Sequence, residues 1–131
     1  MALLGSLNVF GITIPNAYLR LGGVSGGKQS GYWQADVQVF HDGGAAAQAY
    51  EATKAAADAA QATAQAAPDD EDLGAAAQAR QELLRDAFTM LGAARVHANL
   101  PLVTVPYDPS ADAYAVLYSV LAAANPTFVK V

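Results

Sequence analysis

Residues 22–31, GGVSGGKQSG, come within one residue of a phosphate-binding loop. That loop needs G-x-x-x-x-G-K-[ST] between a strand and a helix: backbone N–H groups cradle the phosphates, lysine reaches the terminal ones, and a hydroxyl holds Mg²⁺. Gly22, Gly27 and Lys28 fit, but Gln29 stands where the hydroxyl is required. The residues that follow, GYWQADVQVF, alternate as a strand does, so no helix N-terminus is aimed at an anion. Five glycines between Gly22 and Gly31 therefore read as serving conformation, in a flexible hairpin loop rather than a nucleotide site.

Other reactive side chains are equally short of a constellation. His41 and Asp42 are neighbours, and adjacent residues on a strand face opposite ways, which argues against a dyad. His97 is far off in sequence, and no serine has a partnering histidine within local reach. Asp69, Asp70, Glu71 and Asp72 lack the spaced oxygen ligands and turn glycine of a calcium loop. They read as the acidic start of a helix. Tyr18, Tyr32, Trp33 and Tyr107 offer aromatic surface for a sugar or another subunit, although Trp33 falls on a core-facing position. The reading is of a non-enzymatic protein with no cofactor and no metal.

At 131 residues the chain suits one domain with an elaboration. Twelve acidic against seven basic residues leave a net charge of −5. Lys28, Lys54, Arg80, Arg85 and Arg95 are scattered rather than striped, so nucleic acid is not expected as a partner. Without cysteine there is neither a disulfide framework nor a thiolate metal site. The opening MALLGSLNVFGITIP has no basic region ahead of its apolar run, so it does not read as a signal peptide, and no stretch approaches a membrane span. A soluble protein is expected.

The elements that would position these residues follow from period and propensity. NVFGITI reads as a short strand ended by Pro15. Residues 16–21 and 32–40 alternate, and pair as a hairpin with Leu21 opposite Trp33 and Leu19 opposite Ala35. Tyr18 and Arg20 then lie beside Gln34 and Asp36 on the wet face. From Ala45 to Ala67, 14 of 23 residues are alanine, the best helix former. Glu51, Lys54, Asp58, Gln61 and Gln65 make one polar stripe along that helix. A second helix, roughly Leu73 to His97, carries Ala77, Leu84, Phe88 and Leu91 on its apolar side. The two form an antiparallel hairpin on the order of 30 Å long. A strand at Leu102 to Val105 leads to a helix capped by Ser110, with Ala113, Leu117, Val120, Leu121 and Ala124 buried and Asn125-Pro126 at its end. TFVKV is either a last strand or a mobile end.

The fold class expected is α+β: a small antiparallel sheet, a C-terminal helix on one face and a long inserted alanine-rich helical hairpin. The division is a single domain, 1–131, with a core of 1–44 and 99–131 and the hairpin at 45–98.

Two blocks, ITIPNAYLRLGGVSGGKQSGYWQADVQVFHD and VTVPYDPSADAYAVLYSVLAAANPTF, resemble a family of small structural proteins of tailed bacteriophages. The residues that carry the resemblance are Ala17, Tyr18, Val24, Ser25, Lys28, Val37, Val39, Tyr107, Ala113 and Tyr114. It implies a virion protein made in the host cytoplasm and assembled into the tail, at the distal tip, baseplate or fibre attachment. Its partners would be other tail proteins and copies of itself. The alanine-rich segment departs from the family's compact connection and looks like an insertion. Tyr18, Arg20, Lys28, Tyr32, Tyr50, Phe88 and Tyr107 are the candidate interaction residues. The alternative is a host-surface glycan module using Tyr18, Tyr32 and the glycine loop.

Overall fold

The structure, a computed structural model, describes residues 1–98 and 100–131. It is α+β, with a six-stranded antiparallel sheet and three helices. The N-terminal segment is a hairpin of β1 (Leu3–Val9) and β2 (Ile12–Gly27), not one short strand. Its two-residue turn has both φ values positive, 50° at Phe10 and 79° at Gly11, the geometry that matches strand twist. The Asn8 side-chain oxygen accepts the Gly11 N–H at 3.1 Å. Phenylalanine occupies a place usually held by Asn, Asp or Gly, so the residue types announce no turn. Pro15 lies inside β2 rather than ending a strand. It falls at a register shift between Gly5 and Leu7, and a bulge tolerates a residue with no N–H.

Strand β3 (Tyr32–Phe40) pairs with β2 in a different register from the one the alternation suggests. Leu21 lies opposite Val37 and Leu19 opposite Val39, while Arg20 meets Gln38 and Tyr18 meets Phe40. The cause is a second bulge between Leu21 and Val24. Gly22 to Gly27 continue as strand, and the connection shrinks to a turn at Lys28–Gly31. A Cβ on Gly22 would meet the Asp36 carboxylate, so glycine lets that side chain lie across the bulge. The Gly31 N–H donates to Gly27 O at 3.0 Å, and the Ser30 hydroxyl accepts the Gly27 N–H at 3.0 Å.

Helix α1 (Ala45–Ala66) and helix α2 (Glu71–Ala94) follow, and then β4 (Arg95–Val96) pairs with the end of β3. Strand β5 (Val103–Pro106) pairs with the other half of β3, and helix α3 (Ala113–Ala124) leads to β6 (Val129–Lys130) on β1. The strand order is β4-β3-β2-β1-β6, with β5 also on β3. TFVKV thus ends in a strand.

The chain divides into two compact units, 1–44 with 95–131, and 45–94. In the first, Leu3, Ala17, Leu19, Leu21, Ala35 and Val39 of the sheet meet Val103 and Val105 of β5 and Leu117, Tyr118 and Leu121 of α3. Asp112, not Ser110, is the N-cap of α3, accepting the Ala115 N–H at 3.2 Å. Ser110 instead closes a turn on Asp108. The buried stripe is rotated from the expected one. Tyr118 is buried, while Val120 and Ala124 are exposed, because the Tyr118 hydroxyl donates to Ala2 O at 2.7 Å inside the core. The helix ends at Asn125, whose backbone N–H bonds Ala122 O and whose side-chain amide bonds Leu121 O.

In the second unit, α1 and α2 pack together. Ala46, Ala47, Tyr50, Thr53, Ala56, Ala57, Ala60 and Ala64 are the buried or half-buried positions of α1, a stripe that recurs every three to four residues as a helix seam must. Glu51, Lys54, Asp58, Gln61 and Gln65 are exposed. Leu73, Ala77, Leu84 and Leu91 turn inward on α2. Phe88 does not, being 64% exposed. Asp70 starts α2, its carboxylate accepting the N–H groups of Asp72 and Leu73, as an N-cap does. The second helix is shorter than expected, because Arg95 and Val96 leave it to pair with Phe40 and Val39.

Candidate functional site

On the sheet face opposite the Leu19 and Val39 core positions, Tyr18 and Phe40 make an edge-on aromatic pair with ring centres 6.2 Å apart. The Arg20 guanidinium lies 5.1 Å from the Phe40 ring centre and its Nε donates to Gln38 Oε1 at 2.9 Å. This is a cation–π and hydrogen-bonded cluster that stiffens β2 against β3. Tyr18 is buried, not on a wet face as alternation alone implied. The Gly44 backbone is pressed against its ring, leaving no room for a Cβ. Sequence alternation missed this because Tyr18 is covered by Phe40 and the Gly44 backbone, neighbours that periodicity does not show.

At the other end of the β2–β3 hairpin, Lys28 is exposed on the turn and Tyr32 is 39% exposed at its exit. Tyr18 pairs with Phe40 and Tyr32 with Gly27, so the two tyrosines are at opposite ends of the strand pair. A glycan surface built from both is not assembled. Lys28 stands in a strand–turn–strand context, without the following helix that phosphate cradling requires. Residues 23–27, GVSGG, also have the G-x-S-x-G spacing of a nucleophile elbow. Ser25 lies in β2 opposite Gln34, whereas an elbow serine sits on a sharp turn into a helix.

Trp33 and Tyr107 form the second aromatic pair, edge-on at 5.1 Å. The Tyr107 N–H donates to Gly31 O at 3.0 Å, which ties the end of β5 to the turn. The pair borders an apolar cleft of 580 Å³ between β5 and α3, whose walls include Val105, Pro106, Pro109, Val116 and Val120. Val120 also lines a neighbouring cleft of 450 Å³ with Leu100, Pro101 and Leu102. Two hydrogen bonds from Ser110, one from its hydroxyl and one from its N–H, hold the Asp108 carboxyl below its usual pKa at the rim. The clefts escape sequence reading because their walls come from β3, β5 and α3, which are distant along the chain.

Some of the remaining polar groups make local structural contacts. Asp36 pairs with Arg95 at 3.8 Å, both side chains partly exposed, a pair that contributes about 0–1 kcal/mol. The Asp42 carboxylate accepts the Gly44 N–H at 2.9 Å, making a turn cap of the residue beside the exposed His41. His97 is exposed as well. Among the described residues no group of three or more His, Cys, Asp or Glu is placed to hold a metal ion. No helix of the described chain is long and apolar enough to cross a membrane.

In the helical unit, Tyr50 of α1 and Phe88 of α2 face each other with ring centres 6.1 Å apart. Phe88 keeps most of its surface in solvent, as do Leu83 and Met90. Methyl groups elsewhere on these helices bury little area each, so these larger side chains dominate what the unit can offer a neighbour.

The chain matches no protein-family model, no curated protein and no solved structure.

Proposed function

We propose that this chain is a non-enzymatic structural subunit of a tailed phage virion, working in the tail at its tip, baseplate or fibre attachment. Its contacts with neighbouring tail proteins and with its own copies run through the sheet unit and the helical hairpin. The observation that carries this reading is the exposure of Leu83, Phe88 and Met90 on a helical unit whose other exposed side chains are mostly alanine or polar. Leu83 and Met90, seven residues apart, share one face of α2, and Phe88 lies on another beside Tyr50, so the unit offers a neighbour apolar side chains on more than one side. The two blocks that resemble the phage family fall wholly in the sheet unit, as β2–β3 and β5–α3. The inserted hairpin is thus an addition to the part that carries the resemblance.

Purified particles of the phage that encodes the chain, separated into heads and tails, provide the test. Peptides spanning Gly31 to Lys54 are expected in the tail fraction at a fixed ratio to other tail proteins. Absence from the particles overturns the reading.

A further inference from the structure

We propose that the cleft between β5 and α3 is a binding site for a small organic cation of the quaternary ammonium class, with choline as its simplest ligand. Trp33, Tyr107 and Asp108 all stand on its wall. The two rings meet edge-on, with centres 5.1 Å apart and planes at 71°, so they form two sides of a corner. An aromatic face attracts a cation within about 6 Å of the ring centre. Rings this close both reach one charge seated in the angle between them.

Charge at the site has a single sign. Asp108 is the only charged residue among the described residues that line the cleft. Its carboxylate accepts the Ser110 N–H at 2.9 Å and the Ser110 hydroxyl at 2.7 Å. These bonds hold its pKa below the usual value, so the carboxylate is ionised at neutral pH. A positive ligand therefore meets a fixed negative charge beside two electron-rich ring faces, a complementarity that an anion or a neutral group does not have.

The remaining walls select among cations. Val105, Val116 and Val120 present hydrocarbon, and side-chain acceptors among the described lining residues are confined to the Asp108 carboxylate and the Tyr107 hydroxyl. A primary ammonium carries three N–H groups and gives up water here without replacing it. A quaternary ammonium has no N–H to satisfy, and its methyl groups suit the apolar walls. A phosphocholine ester is disfavoured, because its phosphate would approach Asp108 with no basic side chain among the described lining residues to offset it.

The corner is built before any ligand arrives. Trp33 pairs with Val105 on one side and lies opposite Gly26 on the other, a residue with no side chain to cover the ring. The Tyr107 N–H donates to Gly31 O at 3.0 Å, and the Ala111 N–H donates to Asp108 O at 3.2 Å. Groups held in place in advance lower the ordering cost of binding. The volume of 580 Å³ falls within the range of small-molecule sites, about 300–1,000 Å³. The site lies wholly in the sheet unit, so its ligand does not depend on contacts of the helical hairpin or on recovery of the chain in tails.

Trp33 is the sole tryptophan of the chain, so its fluorescence reads the site directly. The full chain is titrated at constant ionic strength with choline chloride, and in parallel with the uncharged isostere in which a tert-butyl group replaces the trimethylammonium. Choline is expected to give a saturable change, with the isostere weaker by about tenfold or more. Tyr107→Leu is expected to weaken choline about tenfold, and Asp108→Asn about threefold without altering the affinity for the isostere. Asp108 is exposed, so its variant keeps the test decisive even where Tyr107→Leu loses its circular dichroism signal. Absence of a saturable choline response, an isostere that binds as tightly as choline, or an unchanged choline affinity in Asp108→Asn each overturns the proposal. Tighter binding of butylammonium or phosphocholine than of choline overturns the choice of ligand class.

Discussion

Tyr118 shows what a single hydroxyl does in this core. It is buried on α3 and donates to the Ala2 carbonyl at 2.7 Å. Desolvation by burial, and secondarily the nearby Tyr114, raises its pKa above the ordinary 10.0. The unfolded phenol loses its proton first as pH rises. The contribution of the neutral, hydrogen-bonded form is therefore complete below about pH 10 and is lost as pH climbs through the folded pKa. Tyr118→Phe is expected to cost roughly 1 kcal/mol at neutral pH. The gap to wild type should narrow above pH 10, as urea unfolding of both proteins at the two pH values will show. Phe10 is the opposite case, an aromatic side chain that the free fold leaves in solvent.

At the scale of elements, the helical hairpin joins the sheet unit at neighbouring points. Arg95 pairs directly with Phe40 in the ladder, and Phe40 is only a short turn from the start of α1 at Ala45. A few Gly and Ser residues can therefore span 44 to 95, and loop closure over so short a gap is inexpensive. Replacing 45–94 in this way is expected to remove most helical signal while the β2–β3 and β3–β5 ladders persist. Protected amide protons on Leu19, Leu21 and Ala35 would show this, and their loss would mean that the sheet depends on the insertion. Alternation identified β3 and the inward side of Leu19, Leu21, Ala35 and Val39, and alanine density identified α1 and α2. Register was not legible. The bulge places Gly22 against the Asp36 side chain across the strand, and Asp36 in turn faces Arg95, which lies 59 residues further on.

For the whole molecule, charge sets how copies approach. A net charge of −5 on each disfavours association at low ionic strength, with a screening length of about 10 Å at 0.1 M salt. Self-association is therefore expected to strengthen as salt is raised, which sedimentation in graded NaCl will measure. Weakening with salt would instead point to a contact made by opposite charges, such as the Lys28 turn against the acid-rich start of α2.

By itself the sequence determined the elements whose signals are local: the alanine helices, the alternating strand β3, the stop of α1 before Pro68, and the acidic, cysteine-free character. Those signals reside in neighbouring residues, through helix propensity and side-chain period. The candidate site was legible only as residue types. Phe88 was recognised as apolar but not as exposed, and Tyr18 as alternating but not as buried. Phe10 gave no sign of a turn at all. Tertiary structure decided the strand registers, the rotated face of α3, the burial of Tyr18 and the cleft beside Trp33. Each of these depends on which distant segment arrives as a neighbour, and one bulge shifts every pair beyond it.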